Sequence, residues 1–339
     1  MQKKSSSVPA TPSRFRKIAG VAALSVAVVV VGIYMLGPRN HLGPKTPTPR
    51  PLPPENISQL ESWIQSSEAA YSDIKPGNAK GIVWNSAKKN KTPWSVVYIH
   101  GFSASRLETA PLTDNVAKIL GANAFHTRLT GHGRSNQAMA EASPQDWMAD
   151  AVEAIRIGQA LGNKVLVISC STGATLSTWF ATSPEASKVA AYVFFSPNYG
   201  PKDKNSEIIN TPWGKQLATL IMGPTRSWEP ENKQVAGAWT FSYPSQAVFP
   251  MMALVKSVRD SDLSQFKTPV MVVYSEKDSV VDPVEIKAVF DRIASPIKTL
   301  QAVTYAENEG QHMLVGAIRS PGSTDIAVKD VVKWVQSLP

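Results

Sequence analysis

Apolar residues along this chain fall into distinct patterns, and the pattern changes at definable places. Residues 18–36 form an uninterrupted stretch with no charged residue, dominated by Ala and Val. As a helix, those 19 residues rise about 28 Å, close to the roughly 30 Å hydrocarbon thickness of a bilayer. Seven prolines then crowd residues 38–54, which predicts an extended stretch that forms neither helix nor ladder and acts as a semi-rigid spacer holding the remaining chain off a surface. From 57 to 71 the spacing turns helical, with Leu60, Trp63 and Ile64 on one face.

Beyond residue 80 short apolar runs predict strands at 81–84, 94–99, 122–127, 164–168, 190–195, 270–274 and 299–305. Helical patterns lie between them. Ser143 reads as an N-cap with Pro144 at the first helical position, opening a helix through Trp147, Val152 and Ile155. An amphipathic helix over 328–338 closes the chain. Strands alternating with helices predict an α/β fold, a mainly parallel central sheet flanked by helices on both faces. The rhythm breaks between Pro197 and about Leu263. There Trp213, Trp228, Trp239, Phe241, Tyr243, Phe249, Met251 and Met252 are scattered among polar residues without a strong strand pattern.

Charge changes the picture at the amino terminus alone. The formal net charge of +9 suggests a nucleic-acid partner until its distribution is considered. Eight basic residues and no acidic one precede Glu55, so the rest of the chain is near neutral and a nucleic-acid partner is not expected. The basic flank lies before the apolar stretch, which predicts a single-pass anchor with its amino terminus in the cytoplasm and the remaining chain across the inner membrane. A cleaved signal peptide, giving a secreted protein, is the rival. Its apolar region is normally about 7–15 residues and ends at a small-x-small site, which the exit through Tyr34-Met35-Leu36-Gly37-Pro38 lacks. Cys170 is the only cysteine, so no intramolecular disulfide forms. No zinc-type Cys/His spacing and no nucleotide-binding glycine motif is present, so neither metal nor organic cofactor is expected.

The chemistry concentrates at Val165-Leu166-Val167-Ile168-Ser169-Cys170-Ser171-Thr172-Gly173, an apolar strand running into small residues that can open a helix. A serine at such a turn projects its hydroxyl above the sheet, and the residues two before and two after it must be small. Ser171 meets that condition with Ser169 and Gly173, whereas Ser169 and Cys170 would have Val167 and Ile168 two places before them. The backbone N–H of Thr172, next in the chain, is aimed at a developing oxyanion. The strand at 270–274 leads to Glu276, Asp278 and Asp282, and Asp278 lies at its carboxyl end, where sites of open α/β sheets gather. Asp282-Pro283-Val284-Glu285 carries the signature of a helix start, which gives Asp282 a structural task. Of the five histidines, His41 lies in the proline segment, His126 in a strand pattern, and His100 and His132 in glycine-flanked loops. His312 alone follows the acid strand.

With Ser171, Asp278 and His312 in that order, and with His100-Gly101-Phe102 and Gly131-His132-Gly133-Arg134-Ser135 each after a strand, the chain resembles the α/β-hydrolase family over roughly residues 80–338. The likeness is to its monoacylglycerol-lipase and serine-aminopeptidase-like branch. Where the family has the first glycine of G-x-S-x-G, this chain has Ser169, adding a side chain at a crowded turn. The resemblance implies a serine nucleophile at Ser171, a general base at His312, an orienting acid at Asp278, and an oxyanion hole from the N–H groups of Phe102 and Thr172. It also implies that residues 198–263 are a cap over the site. The organisation expected is a basic tail (1–17), an anchor (18–37), a proline-rich linker (38–54) and a hydrolase domain (55–339). The expected activity is hydrolysis of short- to medium-chain acyl esters or monoacylglycerol, the apolar cap favouring an apolar acyl group. An aminopeptidase, amidase or thioesterase using the same triad remains open, with Glu229 and Glu231 the carboxylate pair a peptidase would need, as does a non-catalytic binding protein.

Overall fold

The computed structural model describes residues 14–339, so the first thirteen residues of the expected basic tail lie outside it. In chain order the elements are α1 (Arg14–Met35), α2 (Leu60–Glu68), β1 (Gly81–Val83), β2 (Thr92–Ile99), α3 (Leu112–Leu120), β3 (Asn123–His126), α4 (Pro144–Leu161), β4 (Gly162–Cys170), α5 (Thr172–Ala181) and β5 (Ala191–Phe195). An insertion adds α6 (Gly214–Met222), β6 (Thr225–Ser227), α7 (Lys233–Ala238), β7 (Ser242–Pro244) and α8 (Val248–Arg259). The chain closes with β8 (Val270–Tyr274), α9 (Pro283–Arg292), β9 (Lys298–Ala302) and α10 (Thr324–Gln336).

Seven strands form one sheet in the order β1-β3-β2-β4-β5-β8-β9. Only the β1–β3 pair is antiparallel. Every residue of β5 and β8 is buried, which is why these strands read as continuous apolar runs without alternation. The two faces still separate with period two. Val97, Ile99, Val165, Val167 and Phe194 pack beneath α4, α5 and α8, while Val96, Tyr98, Leu166, Ile168 and Phe195 pack against α3 and α10.

Local signals set several boundaries. Ser143 caps α4 through a reciprocal box with Asp146, with Pro144 at the first position. Asp282 caps α9 by accepting from the Val284 N–H. Other ends moved. The last helix starts at Thr324, ahead of its first apolar stripe residue, and β9, an edge strand, ends at Ala302. In the insertion, β6 and β7 pair antiparallel over three residues each on either side of α7, too short to leave an alternating signal.

The proline segment departs from the expected spacer. It lies along the domain as a strap. Asn40 donates to Asn210 Oδ1 (3.2 Å) and to the Phe249 carbonyl (2.8 Å). Gln145 donates to the carbonyls of Leu42 (2.7 Å) and Pro44 (2.6 Å), and the Thr48 N–H donates to the Gln145 carbonyl (3.0 Å). Arg50 closes a 2.6 Å ion pair with the buried Asp150. The physical reason lies in the prolines themselves. An extended proline-rich backbone keeps its carbonyls free of internal bonds, so they are available to donors on a neighbouring surface.

Candidate active site

Strand β4 ends at Cys170 and helix α5 begins at Thr172, so Ser171 alone makes the turn. Its backbone takes φ 51°, ψ −119°, a region that costs a non-glycine residue on the order of 1–3 kcal/mol. The surroundings hold it there. The Ser171 N–H donates to the Phe195 carbonyl (3.0 Å), and its own carbonyl accepts from the Asn198 N–H (3.1 Å). The chain after the turn passes tightly under β2. A Cβ at Gly173 would stand 2.2 Å from the Ile99 carbonyl oxygen and 2.6 Å from that of His100, so no side chain fits. Ser169 causes no such crowding, contrary to the sequence expectation. Its hydroxyl turns toward α5 and meets the Ser177 hydroxyl at 2.6 Å.

The loop after β9 brings His312 to this turn. Its Nε2 lies 3.2 Å from Ser171 Oγ, and its Nδ1 lies 2.8 Å from Asp278 Oδ2. The Ser196 hydroxyl fixes the loop by donating to the His312 carbonyl (2.7 Å). Asp278 is fully buried, and its other oxygen accepts from the N–H groups of Val280 (2.8 Å) and Val281 (3.0 Å). One carboxylate oxygen is thus tied to its own loop, leaving the second for the imidazole. The neighbouring acids are engaged elsewhere, Glu276 with the Tyr274 hydroxyl and Lys287, and Asp282 with its helix and Lys204.

Phe102 and Thr172 line the same cavity as Ser171 and His312. Thr172 is the first residue of α5, so its N–H has no acceptor within the helix. His100 and His132 shape the loops beneath. His100 Nε2 accepts from the Leu129 N–H (3.0 Å) while its Nδ1 faces the Gly101 carbonyl (2.9 Å), and the His132 Nδ1 faces the Thr130 carbonyl (3.1 Å). Burial pushes His100 well below the usual histidine range and takes His132 down to about 4, so both imidazoles stay neutral. His126 faces Asp114 of α3 at 2.7 Å, and His41 is exposed on the strap.

Sequence reasoning missed Glu108. This fully buried carboxyl accepts from the Gly101 N–H (2.6 Å) and the Tyr98 hydroxyl (2.8 Å), bracing the His100-Gly101-Phe102 loop from behind. Burial raises it to about 7, although both hydrogen bonds pull the other way. It sits in an irregular stretch ahead of α3 with no motif around it, so nothing local marks it. Asn198 was missed as well. It ties the start of the insertion to the turn, its Nδ2 donating to Thr172 Oγ1 (3.2 Å) and its carbonyl accepting from Thr175 Oγ1 (2.6 Å).

The cavity above Ser171 encloses about 590 Å³. Its roof comes from the insertion: Trp228, Trp239, Tyr243, Met251 and Met252 all face it, as do Ile209 and Met222. Glu229 is exposed, and Glu231 pairs with Arg319 at 2.8 Å, so the two carboxylates do not converge on a common point. Among the described residues no cluster of His, Cys, Asp or Glu is placed to hold a metal ion.

A parallel sheet with a serine on the tight turn after a central strand, an acid after a later one and a histidine after the last is the architecture of an α/β-hydrolase. The chain matches the alpha/beta hydrolase family over residues 96–316, and it belongs to that family. No curated protein matches the chain. Among solved structures it is similar to one from a study of LipS and LipT, two metagenome-derived lipolytic enzymes (19% identity, 78% of this chain and 99% of the other, TM-score 0.64). It is also similar to a monoacylglycerol lipase from Paleococcus ferrophilus (15% identity, 77% of this chain and 98% of the other, TM-score 0.56). A soluble variant of monoglyceride lipase from Saccharomyces cerevisiae is comparable (13% identity, 76% and 90%, TM-score 0.56). At these identities the likeness is one of fold.

Proposed function

We propose that this protein is a membrane-anchored serine hydrolase that cleaves carboxylic esters with a short- to medium-chain acyl group, monoacylglycerols among them. The observation that carries the proposal is the continuous chain from Ser171 Oγ to His312 Nε2 (3.2 Å) and from His312 Nδ1 to Asp278 Oδ2 (2.8 Å), opening into a cavity with an apolar roof.

The chemistry follows from that geometry. As Ser171 Oγ attacks the ester carbonyl, its proton passes to His312 Nε2, and Asp278 stabilises the imidazolium and fixes its orientation. The carbonyl oxygen becomes an oxyanion between the backbone N–H groups of Thr172 and Phe102. Collapse expels the alcohol, which takes the proton from His312, and leaves the acyl group on Ser171. Water then attacks this acyl-enzyme by the same route in reverse, releasing the acid and restoring Ser171. No step calls for a metal or a cofactor.

The membrane part of the proposal rests on α1. Its segment Ile18–Met35 has a mean hydropathy of 2.5 and buries none of its residues against the protein. Every apolar side chain described there faces outward, as a bilayer-spanning helix requires. The insertion touches the end of this helix. Trp213 donates from its backbone N–H to the Pro38 carbonyl (2.9 Å) and from Nε1 to the Ile33 carbonyl (3.1 Å). A tryptophan at that height belongs to the interfacial belt of a membrane protein. The basic flank ahead of the helix supports an orientation with the catalytic domain on the extracytoplasmic side of the inner membrane.

The test is a substrate screen of the full-length protein in detergent, using p-nitrophenyl esters of graded chain length with aminoacyl amides and acyl thioesters alongside. Preference for esters, lost in Ser171→Ala, with fluorophosphonate labelling confined to the peptide containing Ser171, is the expected outcome. Faster turnover of amides or thioesters would replace the esterase reading, and an unlabelled, inert protein would leave a binding role.

A further inference from the structure

The roof of the cavity is built from two separate clusters. Ile209, Met222, Val248, Met251 and Met252 belong to one that is mainly apolar, its one amide contact being Asn198 Nδ2 at 3.5 Å from Met251 Sδ. Trp228 and Trp239 belong to the other, and between them lies a charge that the hydrolytic chemistry does not use. The Arg319 guanidinium carbon stands 5.6 Å from the Trp228 ring centre and 5.1 Å from that of Trp239. Arg319 comes from the loop after His312, so the general base and this cation are carried on one stretch of chain and line one cavity.

Three observations set Arg319 apart from an ordinary surface cation. First, the guanidinium carbon stands over two indole rings, contacts that restrict the rotamers of the side chain before a ligand binds. Second, its donors are largely unspent. Its ion pair is with Glu231 through Nη2 (2.8 Å), and the buried Nε has no partner among the described residues. A guanidinium offers five N–H donors in a fork that fits a carboxylate or phosphate. Third, the Glu231 carboxylate is 60% exposed, and an ion pair that open to water contributes about 1 kcal/mol at most. Glu231 is therefore a partner an incoming anion can displace. Arg226 adds a second cation. It lies opposite Tyr243 in the β6–β7 ladder, two residues before Trp228, so both side chains leave the same face of the extended chain, and both line the cavity. Of the other lining carboxylates, Asp203 caps the turn that begins at Lys204, and Glu108 is committed to the Gly101 loop.

Building on the esterase reading, we propose that Arg319, held between Trp228 and Trp239 and assisted by Arg226, binds an oxyanion on the substrate, so that the preferred esters carry a carboxylate or phosphate group on the side away from the acyl chain. The acyl chain occupies the Met222, Met251 and Met252 wall, and the anionic end occupies the tryptophan wall. Glu231 shields Arg319 when the cavity is empty.

The test compares three octanoyl esters on the full-length protein in detergent: 1-octanoylglycerol, its 3-phosphate, and O-octanoyl lactate. The expected result is a kcat/KM at least tenfold higher for one or both anionic esters than for the neutral one, with that ratio falling tenfold or more in Arg319→Met, mainly through KM. Arg319→Lys should recover part of the ratio, and Glu231→Gln should lower KM for the anionic ester two- to fivefold. Which anionic ester gains tells carboxylate from phosphate recognition. A parallel loss on all three esters in Arg319→Met means that Arg319 only clamps the insertion, and overturns the proposal. Binding is measured independently of turnover, by calorimetry of octyl phosphate, octanoate and octanol on the Ser171→Ala protein. Tighter binding of an anion, lost in the double variant with Arg319→Met, supports the anion site even if no ester is cleaved, whereas equal binding of all three refutes it.

Discussion

The hydroxyls of Ser169 and Ser177 meet at 2.6 Å across the joint between β4 and α5, directly behind the turn that carries Ser171. Both residues are fully buried, so each hydroxyl depends on the other for its hydrogen bond. Replacing Ser169 by glycine, which by local sterics alone would relieve the turn, instead strands Ser177. Ser169→Gly and Ser169→Ala are expected to lower stability by about 1–2 kcal/mol while retaining most activity. Ser177→Ala in the Ser169→Ala background should restore part of that loss. Thermal melts of the single and double variants check it, and additive losses would show that the two hydroxyls are not coupled.

Asp278 and Asp282 lie four residues apart and differ in role. In the proposed mechanism, Asp278→Asn removes the carboxylate that orients His312, which should lower kcat by roughly 10³–10⁴-fold with little change in fold. Asp282→Asn keeps a capping oxygen for the Val284 N–H and loses only the bridge to the exposed Lys204, so activity should hold and stability fall by less than about 1 kcal/mol. Kinetics and melting of the two variants decide the matter. Equal catalytic loss in both would reassign the acid.

Buried groups with displaced proton affinities set how stability varies with pH. Glu108 is raised from the usual carboxyl value of 4.5 to about 7, chiefly by burial. Between those values the unfolded chain is ionised while the fold keeps the proton, so this group's contribution is present in acid and is lost as pH rises through about 7. The facing groups are Tyr98, the Gly101 N–H, Cys170 and His312. Glu108→Gln retains an acceptor oxygen and cannot ionise, so its stability relative to the parent should improve as pH rises from about 4.5 to 7. His132 works in the opposite direction. Burial lowers it from 6.5 to about 4, and the unfolded chain gains a proton first as pH falls through that window, so stability is lost toward acid. Melting temperature followed against pH checks both, and a pH-independent offset in Glu108→Gln would contradict the buried-carboxyl account.

The strap formed by the proline segment is expected to stabilise the domain. Arg50→Ala leaves Asp150 with the Thr130 N–H and hydroxyl as partners but without its counter-charge, at a cost of about 1–3 kcal/mol. A chain beginning at Pro54 loses Asn40, Leu42, Thr48 and Arg50 together and should melt several degrees lower than one beginning at Pro38. Identical melting temperatures would restore the view of residues 38–54 as a free spacer.

The proposed anchoring by residues 18–36 predicts that the full-length protein stays in the membrane pellet through high salt and alkaline carbonate, because apolar burial and not charge holds a spanning helix. Protease added to spheroplasts should digest the catalytic domain. Recovery of mature protein from the medium with an amino terminus beyond residue 36 would mean a cleaved signal.

The sequence by itself determined the sheet, the turn at Ser171 and the order of the residues around it. Each depends on local physics. Continuous apolar runs bury both faces of a central strand, small residues at 169 and 173 permit a one-residue reversal, and Ser143 and Asp282 cap the helices that begin just after them. His312 stands within hydrogen-bonding distance of both Ser171 and Asp278 for the same reason, since parallel strands bring their carboxyl ends to one edge of the sheet. Only the tertiary structure decided the rest. Arg50 finds Asp150 across 100 residues, Asn40 finds Asn210 across 170, and Glu108 finds the Gly101 N–H through a loop with no pattern of its own. Arg319 takes its meaning from two tryptophans some 80 to 90 residues earlier in the chain. Such contacts arise when loops settle on a finished core and leave no periodicity behind them, because what selects them is the buried charge or carbonyl each must satisfy and not the conformation of the segment that supplies it.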